Sequence, residues 1–277
     1  MTLDLDTRQR AMLQEMGLHV WWPQARASTP QADPVIASVA DGVSPAAAPA
    51  DRAAASTTQE LPPVALTVAL PQDITSLDWA ALAQPIAACG ACKLSVGRRA
   101  AVFGSGAAPN RADWLVLGDL PDDNEERLGQ PFAGQAGQLL DNMLKAVGVR
   151  RCDSAGARSE AGALAYVSNC VKCRPARARN PEPQELATCE NYLQREVALL
   201  QPKVILALGR FAAQALLQAS MPDIAATPLG KLRGRIYRYQ GIPVVVSYPP
   251  SYLLRTPQDK ARAWADLCLA QATALAV

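Results

Sequence analysis

The sequence lacks several features that would place it in a common class at once. Its 277 residues carry a formal charge of only +2, which argues against a protein held on nucleic acid chiefly by net charge. No run approaches the roughly 20 apolar residues of a membrane span, so we expect no membrane partner. The N-terminus, MTLDLDTRQR, has no apolar signal core, which predicts a cytoplasmic protein. Structural disulfides are rare in that compartment, so some of the seven cysteines need another explanation.

Aromatic residues are almost absent from residues 25–75, where Ala, Pro, Ser, Thr and Asp dominate. Such a segment cannot bury enough surface to offset its ordering entropy, so we interpret it as a disordered linker. It separates a short apolar motif in residues 1–24 from residues 76–277. The latter are long enough, and apolar enough, for one domain with a sizeable core.

Four short apolar runs in residues 76–277 are typical of buried strands: WLVLG at 114–118, AYVSN at 165–169, VILALG at 204–209 and PVVVSY at 243–248. Helical patterns lie between them, so the sequence predicts an α/β fold, a three-layer α/β/α sandwich with a central four-stranded parallel sheet. Ligands on such sheets bind at the carboxyl ends of the strands. Those ends are Gly118–Asp119, Asn169–Cys170, Gly209–Arg210 and Tyr248–Pro249.

Cys89 and Cys92 form a C-x-x-C pair, and Cys173 and Cys189 lie far downstream. Alone, the C-x-x-C spacing serves zinc, redox chemistry or iron–sulfur equally well. Four thiolates suit a structural zinc or a 4Fe–4S cluster. The residues by themselves leave a further alternative, in which these cysteines are only small core side chains.

Four motifs, in order, resemble those of the iron–sulfur (family 4) uracil-DNA glycosylases: GQPFAGQAGQLLDNML, YVSNCVKCRPARARNPEPQELATC, PKVILALGRFAAQALL and SYLLR. The resemblance runs from about residue 88 to residue 266. It implies a 4Fe–4S cluster on Cys89, Cys92, Cys173 and Cys189, with a structural zinc in the same four-sulfur site as the alternative. It also implies a base pocket in which Phe132 stacks on the base and Asn169 binds its polar edge.

Other catalytic positions of the resembled family are altered here. Where that family has G-E-x-P-G, this chain has GDLPDD, so that Asp119 is one methylene shorter and Asp122 replaces a glycine. We expect Asp122 to hinder close backbone approach and to add an unfavourable negative charge. Pro249 stands where the family has a histidine, and the chain's one histidine, His19, is in the N-terminal segment. Losing one such donor typically costs about 10²–10³ in rate, which predicts a degenerate site.

A DNA-facing surface is the next expectation. The resemblance implies that the YLLR loop pushes leucine side chains into the duplex, and basic residues beside Cys173 can bind phosphates without sequence preference. A solvated loop is the alternative. The DNA-contacting residues predicted in this way are Lys172, Arg174, Leu253, Leu254 and Arg255.

The N-terminal motif LQEMGLHVW resembles the peptide of the psi subunit of the bacterial DNA polymerase III clamp loader, which has the pattern L-x-x-L-G-I-x-x-W. The resemblance implies that residues 1–24 bind the clamp-loader ATPase subunits through Leu13, Met16, Leu18 and Trp21. Docking of this apolar cluster on its own domain is the alternative. A chi-like subunit and DNA are further candidate partners.

Three functional hypotheses follow. The favoured one is a DNA replication accessory protein, a psi-like clamp-loader subunit built on a catalytically degenerate glycosylase-like domain. The second is an active family 4 uracil-DNA glycosylase that removes uracil in base-excision repair. The third is a redox-responsive DNA sensor. Pro249 and Asp122 favour the first over the second.

Overall fold

The computed structural model describes residues 74–104, 112–152, 162–175 and 179–277. The predicted partner peptide, with Leu13, Met16, Leu18 and Trp21, and nearly all of the predicted linker lie outside these ranges. Ile74 is buried against Leu82 and Ile86, so the folded part already includes the end of the segment that we assigned to the linker. Within the described ranges, no helix is both long and apolar enough to cross a membrane.

The described residues form a six-stranded sheet in the order β2-β3-β1-β4-β6-β5. Every neighbouring pair is parallel except β5 and β6, which are antiparallel. The strands are β1 Trp114–Gly118, β2 Val149–Arg151, β3 Ala163–Asn169, β4 Val204–Leu208, β5 Ile236–Tyr239 and β6 Ile242–Ser247.

The predicted α/β architecture is confirmed, but the predicted count of four strands is wrong. The four apolar runs are β1, β3, β4 and β6, which form the centre of the sheet. The two missed strands, β2 and β5, are the edges, and each exposes part of its length to solvent. An edge strand needs no continuous apolar run, so its sequence carries no buried-strand pattern.

Helices cover both faces of the sheet. They are α1 Trp79–Ala88, α2 Asp123–Leu128, α3 Gly134–Ala146, α4 Pro183–Leu200, α5 Arg210–Leu217, α6 Leu229–Leu232, α7 Pro250–Arg255 and α8 Lys260–Leu275. Because side chains alternate along a strand, Leu115 and Leu117 face a core shared with α4 and α5. Val116 and Leu206 face the opposite core, which α3, α7 and α8 complete.

The carboxyl ends of the central strands lie side by side. Gly118 at the end of β1 is in register with Asn169 on β3 and Leu208 on β4. Leu208 is in turn in register with Ser247 on β6. Residues that follow these four positions therefore meet at one edge of the sheet, as expected for a ligand site in such folds.

Candidate active site

A pocket of about 110 Å³ opens at this edge of the sheet. Its wall includes all five positions that the sequence singled out for a base pocket or for altered catalysis, although these come from four separate segments of the chain. They are Asp119, Asp122, Phe132, Asn169 and Pro249. Glu125 and Ser251 also line the pocket, and the sequence analysis did not single out either of them.

The Phe132 ring is held against the sheet edge by its own backbone. Its φ of 52° lies in the left-handed region, which is rare for a bulky residue. A Cβ on Gly137 would lie 1.7 Å from the Phe132 carbonyl oxygen, so only a glycine fits there. A Cβ on Gly118 would lie 2.6 Å from the ring and 2.5 Å from Oδ1 of Asn169. The ring and the amide therefore meet over the bare backbone of Gly118.

Arg151, at the end of β2, supports the same loop from outside. Its Nη1 donates to the carbonyl oxygens of Pro131 at 3.1 Å and Phe132 at 3.4 Å. Its Nε is 2.9 Å from Oδ1 of Asp141 on α3, which orients the guanidinium group. Because β2 was not predicted, the sequence offered no reason to connect Arg151 with Phe132.

Glu125 links the parts of the pocket. Its Oε2 accepts a hydrogen bond from the Asp122 N–H at 2.6 Å, and its Oε1 accepts one from the Phe132 N–H. The Asn169 amide donates to the same Oε1 at 3.4 Å. Burial raises the pKa of Glu125, although these donors oppose the shift. The spacing of Asp122 and Glu125, a D-x-x-E before a short helix, is the signal that could have revealed this residue.

Asp122 is the N-cap of α2. Its φ of −90° is accessible to any residue, so the backbone conformation does not require a glycine here, whereas the expected hindrance to a ligand stays a prediction. Its Oδ1 accepts a hydrogen bond from the Glu125 N–H at 2.8 Å. The carboxylate thus satisfies a helix N-terminus, where negative charge is stabilised.

Asp119 directs its carboxylate at the N-terminus of α5. Its Oδ1 accepts a hydrogen bond from the Ala212 N–H at 2.8 Å. A Cβ on Gly209, whose φ is +124°, would lie 2.2 Å from Oδ2, so the close approach requires this glycine. Burial raises the pKa of Asp119 to about 6, against the opposing effect of backbone donors at the start of α5. Asp119 is therefore mostly ionised at neutral pH.

The loop after β6 forms the far wall of the pocket. Pro249 and Pro250 have no N–H, and the Pro249 carbonyl accepts from the N–H groups of Tyr252 at 3.0 Å and Leu253 at 3.2 Å. These bonds start α7, whose first turn brings Ser251 to the pocket. Pro249 itself offers the pocket no hydrogen-bond donor, as the sequence predicted.

A buried acid fixes the start of this loop. Asp266 on α8 accepts from Ser247 Oγ at 2.7 Å and from Arg233 Nε at 2.6 Å. The Arg233 guanidinium group also lies 4.4 Å from the centroid of the Tyr248 ring. The backbone that leads into the pocket is thus held by charged contacts behind it.

The prediction that Lys172 contacts DNA is wrong. Its side chain is only 2% exposed, and its Nζ lies 2.7 Å from Oε2 of Glu196, which is 0% exposed. The ammonium group also donates to Ser168 Oγ at 2.6 Å and to the Asn169 carbonyl at 3.0 Å. Burial of a lysine requires such pairing, and a fully paired lysine cannot reach a phosphate.

Leu253 is also misassigned, because it is 1% exposed and packs in the core beside α8. On the same short helix, Leu254 is 42% exposed and Arg255 is exposed, so both can reach a ligand outside the pocket. Arg174 is half-buried and pairs with Asp123 at 3.1 Å and with Glu126 at 3.5 Å. Its charge is therefore largely balanced within the protein.

The four predicted metal-binding cysteines lie within electrostatic reach of one another. Burial is the main cause that raises the pKa of Cys173 to about 11 and that of Cys189 to about 12. Cys92 and Cys89 add to the first of these shifts, and Cys173 and Cys92 add to the second. Arg98 donates from Nη1 to Cys173 Sγ at 2.8 Å, a contact suited to a thiolate.

Four thiolates are the usual ligand set of a 4Fe–4S cluster or of a structural zinc, so the chemistry of these side chains is compatible with either group. Among the described residues, no three His, Cys, Asp or Glu side chains are arranged to hold a single metal ion. Cys152, Cys170 and Cys268 are outside the set.

Comparison with known proteins identifies the fold family. Residues 105–269 match the family model described as the uracil DNA glycosylase superfamily. A type-4 uracil-DNA glycosylase of Archaeoglobus fulgidus is 33% identical over 64% of this chain and 83% of its own length. Type-4 uracil-DNA glycosylases of Pyrobaculum aerophilum and Thermotoga maritima are also 33% identical, over 70% and 63% of this chain and 93% and 82% of their own lengths.

Proposed function

The chain belongs to the uracil-DNA glycosylase superfamily, and we propose that it is an active enzyme that removes uracil from DNA. The observation that carries the proposal is the pocket at the strand ends. There an aromatic ring, a buried amide and a half-buried carboxylate converge, from Phe132, Asn169 and Asp119 respectively.

The favoured hypothesis from the sequence, a non-enzymatic clamp-loader subunit, is wrong. It is overturned by relatives that are named type-4 uracil-DNA glycosylases and that match this chain over most of their own length. The argument for a disarmed site is also weakened by the geometry. Asp122 has an ordinary backbone conformation and caps a helix, and Glu125 accepts a hydrogen bond from the Asp122 N–H.

Binding of the base uses shape and one amide. An extruded uracil would lie on the Phe132 ring, since a ring face is attractive to any flat base and excludes water. Asn169 is 2% exposed, and its amide presents both a donor and an acceptor, which match the alternating O4 and N3–H of the uracil edge. Glu125 keeps this amide oriented through its contact with Nδ2.

Cleavage breaks the bond between uracil N1 and the sugar C1′. The electron pair of that bond leaves with the base, and a water oxygen forms the new bond to C1′. The water gives up a proton, which the Asp119 carboxylate would accept. With a pKa of about 6, Asp119 is ionised at neutral pH yet basic enough to take the proton. Its negative charge also favours the positive charge that develops on the sugar.

Cys89, Cys92, Cys173 and Cys189 would hold a 4Fe–4S cluster in this enzyme. When bound, the cluster would supply a structural cross-link between the segment after α1, the segment after β3 and helix α4. Arg98 would neutralise part of the thiolate charge through its contact with Cys173. Cys173 and the pocket residue Asn169 are four residues apart in the chain, so the cross-link would also stabilise one wall of the pocket.

The test of the function is excision from a single-stranded and a duplex oligonucleotide that each contain one deoxyuridine. Abasic sites are detected as strand breaks after alkali treatment. We expect strand breaks with both, none with a thymidine control, and a loss of at least about 10²-fold for Asn169→Ala. No product from the unaltered protein in molar excess over DNA would refute the proposal.

The test of the cluster is the metal content of protein purified without oxygen. We expect brown protein with four iron atoms per chain. Cys173→Ala should lose iron and thermal stability, because cluster binding is coupled to folding. Cys268→Ala, a substitution of a thiol outside the set, should change neither. Colourless protein with one zinc per chain would instead support the zinc alternative.

A further inference from the structure

The proposed cleavage produces a negative charge in a pocket that is already lined by acidic side chains. The bond's electron pair leaves on uracil, where it spreads over N1 and the two carbonyl oxygens. Three of the side chains lining the pocket, Asp119, Asp122 and Glu125, are carboxylic acids. In a site shielded from water, ionised carboxylates oppose a second negative charge. A hydrogen-bond donor directed at the departing base would offset that repulsion.

Few side chains of the pocket can serve as that donor. Besides the acids, the wall consists of apolar residues, Pro249, Asn169 and Ser251. The proline has neither an N–H nor a side-chain donor. The Asn169 amide has two N–H groups, of which one contacts Glu125 at 3.4 Å and the other is assigned to the edge of the bound uracil. Of the described pocket side chains, the Ser251 hydroxyl is thus the donor that neither a protein acceptor nor base binding already uses.

The position of Ser251 is fixed although its hydroxyl is not. Helix α7, which contains Ser251, starts with hydrogen bonds to the Pro249 carbonyl. Pro250 and Leu253 of the same helix are buried, which fixes the backbone around Ser251. The serine itself is exposed on the pocket side, and within the described part of the chain its hydroxyl makes no hydrogen bond. A hydroxyl can rotate to donate wherever charge develops, at little structural cost.

We propose that the Ser251 hydroxyl donates the hydrogen bond that stabilises the departing uracil anion, replacing the ring donor that Pro249 cannot provide. Ser251 is then a catalytic residue of the cleavage step rather than a determinant of base binding. The inference rests on the proposed function, since it needs an enzyme that cleaves the N1–C1′ bond.

The experiment compares Ser251→Ala with the unaltered protein on oligonucleotides that contain one deoxyuridine or one 5-fluorodeoxyuridine. Fluorine withdraws electrons and stabilises the departing anion, so excision of fluorouracil depends less on a donor. We expect Ser251→Ala to lower kcat for uracil by about 10²-fold with KM nearly unchanged. For fluorouracil the loss should shrink to less than about tenfold.

Two further variants separate chemistry from folding. Ser251→Thr keeps the hydroxyl and should retain activity within about threefold. Ser220→Ala makes the same substitution beyond the C-terminal end of α5, opposite the end that Asp119 caps, and should behave as the unaltered protein. Thermal unfolding of Ser251→Ala should match that of the unaltered chain, because an exposed hydroxyl without a partner contributes little stability.

The outcomes distinguish the two proposals. Full activity of Ser251→Ala, or an equal loss for uracil and fluorouracil, would overturn the role of Ser251 while leaving the enzyme a glycosylase. A loss seen only in KM would also overturn it, since that indicates ground-state binding. No excision by the unaltered protein would overturn the proposed function and this inference with it.

Discussion

Replacing Lys172 by methionine distinguishes a buried lysine from a DNA-binding one. The substitution keeps the apolar stem but removes the ammonium group that pairs with Glu196 at 2.7 Å. Both side chains are almost fully inaccessible to solvent, so the carboxylate is left buried with only the Ser168 hydroxyl near it. Breaking a buried pair in this way costs about 3–5 kcal/mol. For a domain of this size, that lowers the Tm by about 10 °C.

The loss should depend on pH. Burial raises the pKa of Glu196 even beside Lys172, and without the lysine it should rise further. The folded variant then keeps a proton on Glu196 that the unfolded chain releases above about 4.5. Its stability therefore falls as pH rises from that value, and the deficit should be larger at pH 8 than at pH 5.

The assay is urea unfolding of the unaltered chain, Lys172→Met, Glu196→Leu and the double variant, with iron content measured in each. The double variant should recover most of the lost stability, because two apolar side chains need no partner. As the control, Arg255→Ala, which truncates an exposed side chain of α7, should leave stability unchanged and reduce the salt slope of DNA binding by about one. A stable Lys172→Met protein whose salt slope falls by one would refute the burial argument.

Two further predictions concern the pocket. The kcat/KM for uracil excision should rise with pH through about 6, because Asp119 loses its proton there. Asp119→Asn should lower kcat/KM by at least about 10²-fold and should remove this rise with pH. If the rise persists in the variant, another group is responsible for it. Arg151→Lys should raise KM about tenfold, because the guanidinium fork that holds the Phe132 carbonyl is lost. Asp141→Asn removes only the ion pair with Arg151, so its KM should stay within twofold of that of the unaltered protein. Equal effects of the two variants in steady-state kinetics would contradict the positioning role of Arg151.

The main architecture could be predicted from the sequence because its signals are local. Apolar runs marked β1, β3, β4 and β6, and helical periodicity marked the long helices. Since parallel strands align their carboxyl ends, the ends of β1, β3 and β4 could be expected to meet, and Asp119, Asn169 and Leu208 line one pocket. The four-cysteine site stays a prediction, which rests on the spacing of the cysteines and on a family resemblance.

Only the tertiary structure decided which individual side chains are buried and which partners they contact. Lys172 looked like a phosphate contact until Glu196, 24 residues away, proved to be its buried partner. Leu253 and Leu254 have the same chemistry, but the direction of one short helix buries the first and exposes the second. Glu125 and Arg151 acquire their roles from contacts with Phe132. A sequence pattern encodes the period of an element, whereas the burial of a charge depends on which distant group is brought against it.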